Sequence, residues 1–142
     1  SISEAKFSAK DFTVTDKDGN KVSLSDYAGK PIVVNFWATW CPDCRADVPS
    51  MVALHEKYAS DQVVFVGVSF DTKREKLEVF LRENGMNWLQ LCDFRTKKDS
   101  PVAEQYKIRW IPAIYPVDPE GKVVLSTVVV DKLAAELERI TR

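Results

Sequence analysis

The sequence predicts an α/β fold: a mixed central sheet with helices on both faces and an N-terminal β-hairpin. Three observations lead there. Ile32–Trp37 and Val63–Phe70 are near-continuous apolar, partly β-branched runs, the pattern of central strands covered on both sides. A helical pattern follows each run, so the two strands pair in parallel through right-handed crossovers. Two later strand patterns are separated only by Asp118-Pro119-Glu120-Gly121, a turn composition that adds antiparallel strands. The length of 142 residues suits one domain over residues 1–142 with a sizeable core.

In chain order, Ser1 to Lys10 reads as a loose lead-in. Phe12-Thr13-Val14 and Lys21-Val22-Ser23-Leu24 alternate around Asp18-Gly19-Asn20, a hairpin signal. Ser25 to Lys30 is a turn ending at Gly29. After the Ile32 strand, Pro42 to about Ala59 reads as a helix with Val48, Met51, Val52 and Leu54 as apolar contacts, and Pro49 is expected to kink it. Arg74 to Glu83 is amphipathic, with Leu77, Phe80 and Leu81 on one stripe and Gly85 as the stop; Asp71 or Thr72 is its expected cap. Trp88 to Cys92 is a short strand. Pro101 to Tyr106 is a short helix capped by Asp99 or Ser100. Ala113–Val117 and Lys122–Val130 are strands, and Asp131 is expected to cap a last helix carrying Leu133, Leu137 and Ile140.

The chemistry concentrates at Cys41-Pro42-Asp43-Cys44. Cys41 follows a buried strand and opens a helix, where unpaired N–H groups and the positive dipole end stabilise a thiolate. Cys44 lies one turn on, so both sulfurs share a face and can bridge. Pro42 has no N–H to leave unpaired at the first turn. The expected arrangement is an attacking thiol at the surface with a resolving thiol beneath it, suited to disulfide exchange. A Cys-x-x-Cys pair is also half of a zinc site. The other half is missing: Cys92 is single, and His55, the one histidine, lies fourteen residues along the helix, roughly 21 Å away. Neither a metal nor another cofactor is expected.

Phe36-Trp37-Ala38-Thr39-Trp40-Cys41-Pro42-Asp43-Cys44 resembles the active-site signature of the thioredoxin superfamily. Ile111-Pro112, ahead of the Ala113 strand, stands where that superfamily keeps a cis proline. The chain is most similar to the TlpA/ResA-like group, thiol–disulfide oxidoreductases with an AhpC/TSA-type thioredoxin-like domain, from Asp11 to the last helix. The resemblance implies a thioredoxin-like fold, Cys41 as nucleophile and Cys44 as resolving thiol. It implies that Pro112 faces the pair, that the Ile111 backbone meets an extended substrate strand, and that Pro42 and Asp43 lie against substrate; Trp37 and Trp40 pack around the site, in the core or against substrate. Asp47 matches an acid that the group places under its cysteines. Asn35 stands where ordinary thioredoxins keep a buried acid, which shifts proton handling toward Asp47. The implied partners are protein disulfides or dithiols and an upstream membrane or soluble electron donor, with the chain a monomer. The implied location is exported, periplasmic or membrane-tethered outside the cytoplasm, as in cytochrome c maturation. Ser1 is not a native start, so a targeting segment is expected to be absent from this chain, and a cytoplasmic location stays open. Two features depart from the group: Pro42-Asp43 replaces the Gly-Pro of thioredoxin, and the last strand lacks the usual glycine.

Asp43 opposes a thiolate on Cys41. At ~6 Å and an effective dielectric of ~40 the repulsion is ~1.4 kcal/mol. A weakened thiolate favours the disulfide, so the expected direction is reducing.

The charge balance excludes a nucleic-acid surface. With 20 basic and 21 acidic residues there is no basic excess, and Arg95, Lys97 and Lys98 read as a solvated loop. No apolar stretch approaches the ~20 residues of a membrane helix. Two other functions share this fold. A thiol peroxidase needs a threonine three residues before its cysteine, whereas Ala38 stands there and Thr39 is two before. The other is non-enzymatic, a copper or haem chaperone or a binding module on this scaffold; copper chaperones of the fold normally add a histidine near the pair, and His55 is too far along the helix. Cys92 reads as a buried inert thiol, with a redox or mixed-disulfide role as the alternative, His55 as a surface helix residue, and Trp88, Trp110, Phe65, Phe70 and Phe80 as core or rim packing.

Overall fold

The computed structural model describes residues 7–9, 11–16, 18–124 and 129–141. Its elements in order are β1 (Phe7–Ser8), β2 (Thr13–Thr15), β3 (Lys21–Ser23), β4 (Ile32–Trp37), α1 (Pro42–Tyr58), β5 (Val64–Ser69), α2 (Arg74–Glu83), β6 (Leu89–Leu91), α3 (Pro101–Gln105), β7 (Ala113–Val117), β8 (Lys122–Val123) and α4 (Val130–Ile140). Six strands form one sheet in the order β1-β8-β7-β4-β5-β6, and β2 and β3 form a separate antiparallel hairpin. β4 runs parallel to β5 and antiparallel to β7, and β5 runs parallel to β6. This is the mixed α/β architecture expected, in a thioredoxin-like arrangement.

β4 lies at the centre because it can be buried on both faces, and all six of its residues are. Phe36 faces one layer, where its ring meets Tyr106 at the end of α3, Phe70 and Tyr115. The next residue, Trp37, points to the opposite layer and meets Phe80 of α2. On that same side His55 of α1 packs on Phe65 and Trp88. Helices therefore cover both faces of the sheet. Leu77, Leu133 and Leu137 are completely buried anchors of α2 and α4; truncating any of them to alanine would cost about 2–5 kcal/mol.

The structure corrects several expectations. The lead-in is not wholly loose, because β1 pairs with β8 through Phe7↔Val123 and Ser8↔Lys122. The last strand does not run to Val130, which already opens α4; residues 125–128 lie outside the described set. Val129 is the N-cap of α4, and Asp131 sits within the first turn, where a carboxylate still favours the helix dipole. Neither Asp71 nor Thr72 caps α2. The N-cap is Lys73, because the Asp71 carboxylate is engaged elsewhere. Ser100, rather than Asp99, caps α3 by accepting from the Ala103 N–H at 3.4 Å. His55 is half-buried against two aromatic rings, and burial pushes its pKa down. Trp110 is not a core residue: it is 66% exposed. Among the described residues, no helix is long and apolar enough to cross a membrane.

Candidate active site

The buried strand β4 delivers the chain into a turn from Ala38 to Cys41, closed by the Cys41 N–H on the Ala38 carbonyl at 3.3 Å. Cys41 then serves as the N-cap of α1 in extended conformation (φ −86°, ψ 116°), with Pro42 at the first helical position. Its sulfur accepts the backbone N–H of Cys44 at 3.2 Å. An orphan donor of the helix terminus is thus aimed at the atom on which a sulfur anion would form.

The structure brings Ile111 and Pro112 to the same place. The Ile111–Pro112 peptide bond is cis, and the Cys41 thiol lies 3.7 Å from the Ile111 carbonyl oxygen, its hydrogen-bond acceptor. This contact corrects the picture of a surface thiol: Cys41 and Cys44 are each only 4% exposed. Trp40 carries the exposure instead, at 60%. Both cysteines are free thiols. The Cys44 thiol is pushed up by burial first, then by its hydrogen bond with Cys41 and by the charges of Cys41 and Asp47. Cys44 is therefore held as a neutral thiol until something removes its proton.

A groove of about 510 Å³ opens beside the pair, lined among others by Asp43, Asp47, Asp131, Trp110, Ile111 and Pro112. Asp47 is half-buried, and its carboxyl is pushed up by burial and then by the neighbouring charges of Asp43 and Asp131. Asn35 is buried in β4, between Gly67 and Ile114 in register, and its Oδ1 has no partner among the described residues. Pro42 and Asp43 are exposed on the first turn of α1. Cys92 is fully buried, donates to the Asp71 carbonyl at 3.3 Å, and has its thiol pushed up by burial. Among the described residues, no group of three or more His, Cys, Asp or Glu is placed to hold a metal ion.

The residue that the sequence reading missed is Asp71. Its carboxylate accepts from the Thr39 N–H at 3.3 and 3.1 Å, from the Thr39 hydroxyl, and from the Ser69 hydroxyl. The available signal was its place just beyond the carboxyl end of a buried strand, where functional groups collect in open α/β sheets.

The sequence model of the AhpC/TSA family matches residues 6–126. The thiol-disulfide oxidoreductase ResA of Bacillus subtilis (strain 168) is 32% identical over 124 residues, which cover 87% of this chain and 66% of that protein. A ResA of Bacillus cereus is 29% identical over 136 residues, 94% of this chain and 76% of the relative. The chain thus spans about two thirds to three quarters of these relatives. Among solved structures, the thioredoxin domain of thiol-disulfide oxidoreductase BVU-2223 from Bacteroides vulgatus superposes with a TM-score of 0.84 at 31% identity, covering 96% of both chains. A thiol-disulfide oxidoreductase from Bacteroides fragilis NCTC 9343 superposes with a TM-score of 0.86 at 27% identity, covering 94% of this chain and 98% of the other.

Proposed function

Because the chain belongs to the AhpC/TSA family, we propose that it is a thiol–disulfide oxidoreductase acting on protein substrates through Cys41 and Cys44, in the reducing direction. The observation that carries this reading is the Cys41 sulfur itself, which meets the Cys44 N–H at 3.2 Å and the Ile111 carbonyl at 3.7 Å. A helix-mouth donor, a second thiol one turn behind and a backbone edge across from both make a site for disulfide exchange.

The Cys41 thiolate attacks one sulfur of a substrate disulfide. A mixed disulfide forms and the other substrate sulfur leaves as a thiolate, which takes up a proton. Cys44 then gives up its proton and attacks the Cys41 sulfur. The substrate's second thiol is released, and Cys41 and Cys44 are left as a disulfide. Two electrons have passed to the substrate, and an upstream dithiol donor restores the pair. Asp47 is the acceptor for the Cys44 proton in this scheme: its charge acts on Cys44, and burial pushes its own carboxyl up, which makes its carboxylate a better proton acceptor. Pro112 and Ile111 present the backbone against which an extended substrate strand lies, and Trp40, Pro42 and Asp43 border it. Trp40 and Trp110 both stand exposed, apolar surface suited to a polypeptide substrate. An exported or membrane-tethered position outside the cytoplasm and a monomeric state accompany this reading.

Equilibration of the pair against glutathione tests the direction. A potential more negative than about −180 mV is expected, and a more positive one overturns the reducing assignment. The peroxidase alternative gains no support at the site, since the Thr39 hydroxyl is bonded to Asp71.

A further inference from the structure

We infer that Asp71 is a positioning residue for the cysteine pair: through Thr39 it fixes the turn that sets Cys41 at the helix mouth. This inference rests on the proposed exchange site and adds a residue to it.

The geometry is that of a buried carboxylate whose donors come from the active-site turn and from the end of β5. Asp71 is 3% exposed, and its two carboxylate oxygens receive the Thr39 N–H, the Thr39 hydroxyl and the Ser69 hydroxyl. Among the described residues, no ion pair reaches it. A buried carboxylate without a cation is costly to keep, and the three donors are what offset that cost. Such a group tolerates little rearrangement, because each lost donor leaves charge unsatisfied.

Two of those donors belong to one residue of the active-site turn. Thr39 and Trp40 are the central residues of the turn closed by the Cys41 N–H on the Ala38 carbonyl at 3.3 Å. Gripping Thr39 by both backbone and side chain fixes the turn's plane. That plane sends Trp40 out into solvent and Cys41 inward, with its sulfur against the Cys44 N–H and the Ile111 carbonyl. The backbone of Asp71 is anchored as well: its N–H donates to the Ser69 hydroxyl at 3.0 Å, and its carbonyl accepts the Cys92 thiol at 3.3 Å. The clamp therefore ties the cysteine turn to the ends of β5 and β6 rather than to α1. Asp71 touches neither sulfur; it acts through Thr39.

The test uses the full chain with Thr39→Val, Thr39→Ser, Asp71→Asn and the Thr39→Val/Asp71→Asn double variant. Two quantities are read: the second-order rate of reduction of a disulfide-bonded peptide, and the equilibrium constant with glutathione. Circular dichroism checks the fold of each variant. Thr39→Val keeps the β-branched shape and removes only the hydroxyl. It is expected to slow reduction fivefold or more and to shift the equilibrium at least threefold toward the protein disulfide, because a sulfur displaced from the Cys44 N–H is a poorer anion. Thr39→Ser restores the hydroxyl and should return both values to within twofold of the parent. The double variant should be no slower than the slower single variant, since both changes cut one linkage. Thr39→Val within twofold of the parent in both readouts overturns the inference, as does a double variant whose loss is the product of the two single losses. Should Asp71→Asn not fold, the Thr39→Val and Thr39→Ser pair decides alone, because an equilibrium shift restored by serine is not expected of a residue that only adds stability. A parent protein that reduces no disulfide at all would overturn the proposed function instead; the glutathione equilibrium would still report on Thr39.

Discussion

The Cys41 thiol lies 3.7 Å from the carbonyl oxygen of Ile111, seventy positions away in the chain. The contact joins the end of β4 to the loop before β7, two antiparallel neighbours that pair through Phe36↔Ala113. It places the sulfur proposed as the nucleophile against a backbone edge, while the Cys44 thiol, one helical turn on, is pushed up by burial. The two cysteines should therefore fail differently when removed. Cys41→Ser is expected to reduce disulfide exchange to background. Cys44→Ser should still attack once and then accumulate mixed disulfides with its substrates, because the resolving thiol is gone. Non-reducing gels and mass spectrometry of the trapped species check this; equal inactivity without trapping would contradict the assigned roles.

Asp47 supplies a pH signature. Its carboxyl is pushed above the usual value of 3.8 by burial, then by Asp43 and Asp131. Between 3.8 and the raised value the folded chain binds more protons than the unfolded one, so stability falls as pH rises through that window, and the deficit persists at neutral pH. Asp47→Asn removes the deficit. The variant should be more stable than the parent at about pH 7 and equal to it near about pH 3, below both values. Urea melts at the two pH values measure the difference. The same variant should slow release of the mixed disulfide, since Cys44 loses the carboxylate proposed to take its proton.

What was legible in the sequence was whatever local pattern controls. The range of α2, Arg74–Glu83, follows from one apolar stripe and a glycine stop. β4 follows from an unbroken apolar run, and the start of α1 from a proline beside a cysteine cap. What escaped depends on contacts that join distant parts of the chain. β1 is two residues long and exists only because β8 pairs with it over a hundred residues later. Asp71 resembles a helix cap locally, yet two of its three donors come from Thr39, thirty-two residues earlier. The low exposure of Cys41 needs Ile111, and the half-burial of His55 needs Phe65 and Trp88. The burial read for Cys92 was legible, because an apolar strand position reports burial directly.

Asp43 sits exposed on the first turn of α1, beside Cys41. Its charge opposes the thiolate and so weakens the reduced form. At ~6 Å and an effective dielectric of ~40 the interaction is ~1.4 kcal/mol, equivalent to about 30 mV for a two-electron couple. Asp43→Asn should therefore raise the reduction potential by up to about 30 mV. Because the carboxylate is solvated, the difference between variant and parent should shrink as salt is added. Glutathione equilibration at low and high ionic strength checks both the sign and the screening; a variant with an unchanged or lower potential would contradict the role given to Asp43.

A last prediction concerns the layer beneath the site. Gln90 of β6 lies beside Gly67 of β5 in register, and its Oε1 accepts the Trp37 indole N–H at 3.0 Å. A Cβ added at Gly67 would overlap that same oxygen. Alanine there must push the Gln90 amide aside, which breaks its bond to Trp37 and leaves a buried indole N–H unpaired. Gly67→Ala is expected to cost about 1–3 kcal/mol. Gln90→Ala removes the obstructing amide, at its own cost of an unpaired indole. In that background Gly67→Ala should cost less than about 1 kcal/mol, because the two changes damage one contact and cannot add. Denaturant melts of the two single variants and the double variant measure the coupling. Additive losses would mean that the glycine is kept for some reason other than room for Gln90.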